Sequence, residues 1–225
     1  MTDVRTGEVL SHVGFNRKVT HAAAGLRRHG LSYHDLVHID LPFGAMFPIA
    51  VHAVAWAGGV AVLRPSSTAS MLITTRDVPE GPKHVFTVER VPGATPFADL
   101  INGQEVEFGP LAGPALSPDG ERVLDHDELA RDLRGLGARV PLTHYDVVLA
   151  AVTDRMRGLR TADLTLAAGA HLVIAHEPTL IGCRVLIQEY RASVIVAPSD
   201  IARRLHGERG LRVIDERHLS SSLGL

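Results

Sequence analysis

The 225-residue chain holds 13 His, 25 acidic residues and 23 basic ones, of which only Lys18 and Lys83 are lysine. Chemistry that needs an amine therefore has two candidates. The densest titratable cluster is Asp125-His126-Asp127-Glu128, where a histidine titrating near neutrality is a candidate general acid or base. The same residues also read as a helix start, because carboxylates are favoured at the positive end of a helix dipole. His176-Glu177 ahead of Pro178 reads first as a strand end and helix entry. His34 and His38 have the spacing of a helical metal pair. They straddle Asp35 and the start of a strand, however, and no third ligand is placed, so no metal site is expected. The single cysteine, Cys183, lies in the apolar run 180–183 and reads as a buried, inert thiol. One cysteine excludes an intrachain disulfide and a multi-cysteine zinc site. Neither a Gly-x-Ser-x-Gly elbow nor a Gly-x-Gly-x-x-Gly loop occurs, and Ser220, Ser221 and Ser222 read as a polar tail.

The elements that must position these groups alternate along the chain. Helices are predicted over 20–29, with Thr20 as N-cap and Gly30 as stop, and over 45–57, ended by Gly58-Gly59. Strands are predicted over 36–41, 60–63, 71–75 and 84–88, and a helical turn over 97–101. Residues 102–120 are rich in Gly and Pro and read as a linker or functional loop with a short strand near Ala115. A helix over 125–136 follows, with Asp125 as N-cap and Glu128 three residues on, close to a capping box. Beyond it, strands over 146–151, 171–175, 193–197 and 211–214 alternate with helices over 160–168, 178–191 and 198–206. The helix at 160–168 is closed by Gly169, and the one at 178–191 has Pro178 at its start. Short loops and β-branched strand cores predict an α/β fold with mostly parallel sheet layers flanked by helices. The chain reads as a single domain over 1–225, divisible into subdomains 1–101 and 121–225 across 102–120.

Composition narrows the function classes. Hydrophobic residues at 45% and charged residues at 21% describe an ordinary globular chain rather than a disordered one. A net charge of −2 argues against a nucleic-acid binder. The most apolar stretch, 49–63, is short and interrupted by His52 and Gly58-Gly59, so no membrane span is expected. The first ten residues lack a charged region followed by an apolar one, which makes a cytoplasmic protein the expectation.

Five stretches, taken in order, resemble the N-terminal domain of acyl-adenylate-forming enzymes, the superfamily of acyl-CoA synthetases, aryl-CoA ligases and peptide-synthetase adenylation domains. Residues 23–67, AAGLRRHGLSYHDLVHIDLPFGAMFPIAVHAVAWAGGVAVLRPSS, are similar to that family's helix, strand, "LPNS"-like turn, helix ending in AGG, and strand. MLITTRDV with the later VPGATPFADL resembles its short strand and variable loop. Residues 146–175 resemble its strand before the aromatic "HxxG" segment, then its "AGA" helix end. IQEYRASVIVAPSDIARRL resembles "IxxxxVTxxxxVPxxxxxL". LRVIDERHLSSSLGL falls where the family has a strand and a small-residue "SGGAPL" turn. The resemblance implies the fold of that N-terminal domain. It does not imply the activity, because activity lives in the site.

That site demands phosphate stabilisation by position and charge. The resemblance implies a Ser/Thr/Gly-rich loop ending in Pro-Lys-Gly, a Tyr-Gly-x-Thr-Glu segment for magnesium and adenine, and a C-terminal domain with a second lysine. Where the loop should lie, this chain reads ALSPDGERVLDHDEL. Ser117, Gly120 and Arg122 are its candidate ligand-binding residues, with Glu121 and Arg122 where lysine-glycine would stand. Arg122 can pair with phosphate, whereas Asp119 and Glu121 repel one; the rival reading is a solvated SPDG turn. Where an aromatic-His-x-x-Gly segment would line an acyl pocket, the chain has Thr153-Asp154-Arg155-Met156-Arg157-Gly158, which makes Arg155 and Arg157 candidate ligands for a polar or anionic group. Neither Lys18 nor Lys83 matches a catalytic lysine.

Three functions remain open. The first is a truncated, catalytically degenerate relative that binds a small molecule or acts as an accessory protein, with no cofactor. The second is an enzyme of changed mechanism, with His126 and Asp154 as weak catalytic candidates and Arg155 and Arg157 as anion ligands. The third is half of a split ligase, the one case that calls for ATP and magnesium. A homodimer, or a complex with another protein through a surface left uncovered by truncation, is expected.

Overall fold

Parallel strands buried on both faces are near-continuous apolar runs, and most strands here have that composition. In the computed structural model, which describes residues 1–76, 82, 84–89, 91–92, 94–101 and 113–220, the chain begins β1 (Thr2–Asp3), α1 (His12–Arg28), β2 (Leu36–Asp40), α2 (Met46–Trp56) and β3 (Val60–Val62). It continues β4 (Met71–Thr74), β5 (His84–Thr87), β6 (Thr95–Pro96), α3 (Phe97–Ile101), β7 (Pro114–Ser117) and β8 (Leu124–Asp125). Then come α4 (His126–Arg139), β9 (Val147–Ala150), α5 (Arg155–Ala167), β10 (His171–Ile174), α6 (Leu180–Tyr190), β11 (Val194–Ala197), α7 (Ser199–Leu205) and β12 (Arg212–Asp215). A 3-10 turn, Glu216–Leu219, closes the described chain. Lys83 and residues 102–112, 221 and 222 of the sequence reading lie outside the described residues.

Two compact units form. One comprises Met1–His12, Phe43–Ala45 and Arg131–Leu225; the other comprises Val13–Pro42 and Met46–Ala130. The division follows sheet membership rather than the Gly/Pro-rich segment 102–120. β7 and β8 complete the sheet built by residues of 1–101, while β1 joins the sheet built by the second half.

In the first unit the five strands run in the order β1-β10-β9-β11-β12, all parallel. Leu149, Val173 and Ile195 come from three adjacent strands and pack with Cys183 of α6 and with Ile201 and Leu205 of α7. Two polar caps shape the helices. Asp154 precedes α5 and its Oδ1 accepts the Arg157 N–H at 2.9 Å. Thr179 precedes α6 and accepts the Gly182 N–H at 3.1 Å. Each removes one unpaired donor from a first turn.

In the second unit the order is β6-β5-β4-β2-β3-β7-β8, parallel except for the β7–β8 hairpin. α2 is buried along nearly its whole length, from Phe47 to Ala55. A helix apolar all round belongs inside a core. Gly58 ends it at φ +82°, a conformation open to glycine without a Cβ penalty.

The predicted α/β architecture is the one observed, with four local corrections. α1 begins at His12, so Thr20 is an interior residue whose hydroxyl donates to the Arg17 carbonyl at 3.1 Å rather than an N-cap. Phe15 and Val19 are buried ahead of Ala22 and Ala23, so the apolar face starts a full two turns earlier than the alanine run suggests. α5 begins at Arg155 rather than 160, because its first turn is charged and carries no apolar period. Pro178 stands outside α6, which is capped by Thr179. β1 is two residues long and too short to carry a pattern.

Candidate functional site

The turn between β7 and β8 carries the phosphate-loop candidates. Ser117 is buried, and its hydroxyl donates to the Arg122 carbonyl at 2.7 Å while accepting the Gly120 N–H at 3.1 Å. The Asp119 carboxylate accepts the N–H groups of Glu121 and Arg122, both at 2.9 Å. These bonds hold the Asp119 carboxyl below the usual carboxylate range, the Arg122 amide contributing most. Backbone amides that face one point form an anion site; here the chain's own carboxylate fills it. The Arg122 guanidinium lies 3.6 Å from Glu128 Oε1. Gly120 sits at φ +87°, as the turn requires.

The cluster at 125–128 divides by task. Asp125 and Glu128 form a reciprocal capping box: the Asp125 N–H donates to Glu128 Oε2 at 3.0 Å and the Glu128 N–H to Asp125 Oδ1 at 2.7 Å. His126 opens α4 with its N–H on the Gly113 carbonyl at 3.2 Å. Burial pushes its imidazole pKa below the ordinary value, with Asp125 and Asp127 opposing the shift and His52 adding to it.

In the other unit, the segment read as an acyl-pocket wall is the entrance of α5. Asp154 spends its carboxylate on the cap. Arg157 turns its guanidinium to Glu216, with Nη1 3.1 Å from Oε1. Glu216 also accepts the Thr153 N–H on Oε2 and the Thr153 hydroxyl on Oε1, each at 2.9 Å. Arg155 begins the helix on its partly exposed side. Asp154, Arg157 and Thr153 thus come together, and the charges are answered within the chain.

Three groups escaped the sequence reading. Glu216 opens the 3-10 turn that follows β12. Asp3 accepts His176 Nε2 at 3.0 Å, the Ala45 N–H at 2.8 Å and the Arg5 N–H at 3.0 Å. Burial raises its pKa, and these bonds outweigh burial, leaving the carboxyl well below its ordinary range. Asp132 and Arg160 form a buried ion pair. The last two carry no short-range sequence signal. Among the described residues no three His, Cys, Asp or Glu side chains gather as a metal ion would require. His34 lies in a turn at φ +67° and His38 within β2. Cys183 is buried, which pushes its thiol pKa up to about 11. No described helix is long and apolar enough to cross a membrane.

No family model matches the chain. A 4-coumarate–CoA ligase-like protein of rice, Oryza sativa subsp. japonica, is 31% identical over 134 residues, which is 59% of this chain and 20% of that protein. Among solved structures, apo MbtA of Mycobacterium smegmatis superposes with a TM-score of 0.73 at 21% identity, over 86% of this chain and 44% of that one. A long-chain-fatty-acid–CoA ligase of Archaeoglobus fulgidus gives 0.71 at 17% identity, over 86% and 46%. Unliganded O-succinylbenzoate coenzyme A synthetase of Bacillus subtilis gives 0.71 at 15% identity, over 91% and 50%. The chain thus spans about half the length of these structures and one fifth of the curated relative.

Proposed function

We propose that this chain is a member of the acyl-adenylate-forming superfamily that acts as a small-molecule-binding or accessory protein and does not by itself adenylate a carboxylate. One observation carries the reading: the Asp119 carboxylate already holds the two amides of the turn from β7 to β8 that a phosphate would need. A phosphate oxygen there would replace one bound anion and meet another beside it, with no lysine in the turn. On this reading the chain alone takes neither ATP nor magnesium.

The test is formation of AMP and pyrophosphate from ATP with a panel of aliphatic and aromatic carboxylates. The expected result is no release above the uncatalysed rate, and none gained in Asp119→Ala. Sustained turnover by the chain alone overturns the reading.

The accessory role has a surface to draw on. Ile181 and Val185 are one turn apart on α6 and are 77% and 54% exposed. A second copy of this chain is the proposed occupant. Light scattering is expected to show a dimer that weakens in Ile181→Glu; a monomer at high concentration rejects it.

A further inference from the structure

His176-Glu177 reads from sequence as a strand end and helix entry, and the fold gives it a second task. β1 and β10 are parallel neighbours, with Asp3 opposite Ile174. Asp3 closes β1 and His176 follows β10 by two residues, so the two meet at the carboxyl end of these strands. His176 Nε2 lies 3.0 Å from Asp3 Oδ1, the carboxylate 3% exposed and the ring 16%.

Backbone amides hold Asp3 in turn. Oδ1 also accepts the N–H groups of Arg5 at 3.0 Å and Thr6 at 3.3 Å, and Oδ2 accepts that of Ala45 at 2.8 Å. With the carboxyl held well below its ordinary range, Asp3 is ionised and can only accept. In the neutral ring Nε2 therefore carries the hydrogen and Nδ1 the lone pair. Among the described residues Nδ1 has no hydrogen-bond partner, and it is not an enclosed atom. The ring is closely confined: a Cβ on Gly44 would lie 3.1 Å from His176 Cε1 and 3.0 Å from Asp3 Oδ2. Glu177 follows it at φ +47°. Such a conformation outside glycine is costly and persists where the surroundings impose it, which happens most at functional sites.

A nucleophile bonded to a base, the base itself fixed by a third group, is the arrangement of nucleophilic catalysis. We infer that His176 is a nucleophile that accepts the acyl group of small activated esters, with Asp3 as its positioning residue. The Nδ1 lone pair adds to the carbonyl carbon and the bond to the leaving alkoxide breaks. Asp3 balances the positive charge of the acylated ring through Nε2–H. Water then adds to the acyl carbon, the C–N bond breaks, and the carboxylic acid and one proton leave the neutral ring. The small exposed fraction of the ring admits only a short acyl group. This goes beyond the proposed function and stands whatever the adenylation assay returns.

The test uses the full chain and nitrophenyl acetate. The native chain is expected to release nitrophenolate in a burst followed by slower turnover. His176→Gln, whose side-chain amide still offers an N–H to Asp3, is expected to lose both. Release by the native chain no faster than by His176→Gln overturns the inference. Diethyl pyrocarbonate, which acylates neutral imidazole, locates the nucleophile by peptide mapping. His176 is expected to be modified several-fold faster than His144 and His206, although both of those are exposed, and to lose that lead in Asp3→Asn. Modification in order of exposure, or a lead that survives Asp3→Asn, overturns the inference. If Asp3→Asn is recovered only unfolded, the comparison of the native chain with His176→Gln decides.

Discussion

Arg160 of α5 and Asp132 of α4 face each other at 2.7 Å, each side chain only 6% exposed. The guanidinium also donates to the Leu219 carbonyl at 3.0 Å, so a buried charge in the first unit ties a helix to the closing 3-10 turn. Such a pair adds little net stability over apolar residues of the same size, but leaving one member alone is costly. Asp132→Ala is expected to destabilise the chain by about 3–5 kcal/mol. The double variant Asp132→Leu, Arg160→Met should recover most of that loss. Urea denaturation of the three proteins checks it, and a cost under about 1 kcal/mol for Asp132→Ala, the level of a solvent-screened pair, rejects it.

Asp154 has a structural use that separates it from an acid catalyst. It accepts the Arg157 N–H as N-cap of α5. Asp154→Ala is expected to cost about 1 kcal/mol, and Asp154→Ser, which keeps a capping oxygen, only a few tenths. Equal losses in thermal denaturation would show that the carboxylate is held for another reason.

The balance between what was legible and what was not follows from range. The strands at 147–150, 171–174 and 194–197 announce themselves through buried β-branched runs, and the capping box at Asp125 and Glu128 through local spacing. The turn at 117–122 was readable as a solvated SPDG turn, because an Asx turn is a property of adjacent residues. Glu216 with Arg157, Asp3 with His176 and Asp132 with Arg160 are separated by 59, 173 and 28 positions, and no periodicity encodes which charge answers which. Charged first turns hide helix starts as well: Arg155 and Arg157 open a helix that has no apolar signal at its start.

Asp3 gives the fold a defined acid sensitivity. Its carboxyl is held below its ordinary range despite burial, by His176 first and then by the Ala45 N–H. A group whose pKa is lower folded than unfolded contributes stability above its unfolded value, about 3.9, and loses it as pH falls toward the folded value. The stability difference between the native chain and Asp3→Asn is therefore expected to shrink steadily below about pH 4. Denaturation midpoints collected across that range check the sign. A difference that grows on acidification overturns the assignment.

Two helix glycines should respond to alanine in opposite directions. A Cβ on Gly25 of α1 would lie 2.8 Å from both the Cα and the Cβ of Leu100 in α3. The Cα is backbone and cannot swing aside, so the two helices must separate, and Gly25→Ala is expected to cost about 1–3 kcal/mol. Gly135 lies within α4, exposed, with nothing within 4 Å of a new Cβ. Its loss of backbone freedom on folding is relieved by alanine, so Gly135→Ala is expected to gain about 0.5–1 kcal/mol. Chemical denaturation of both variants checks the pair. A neutral Gly25→Ala would mean that α1 and α3 do not approach at Leu100, and a destabilising Gly135→Ala would mean that α4 is not a regular helix at that point.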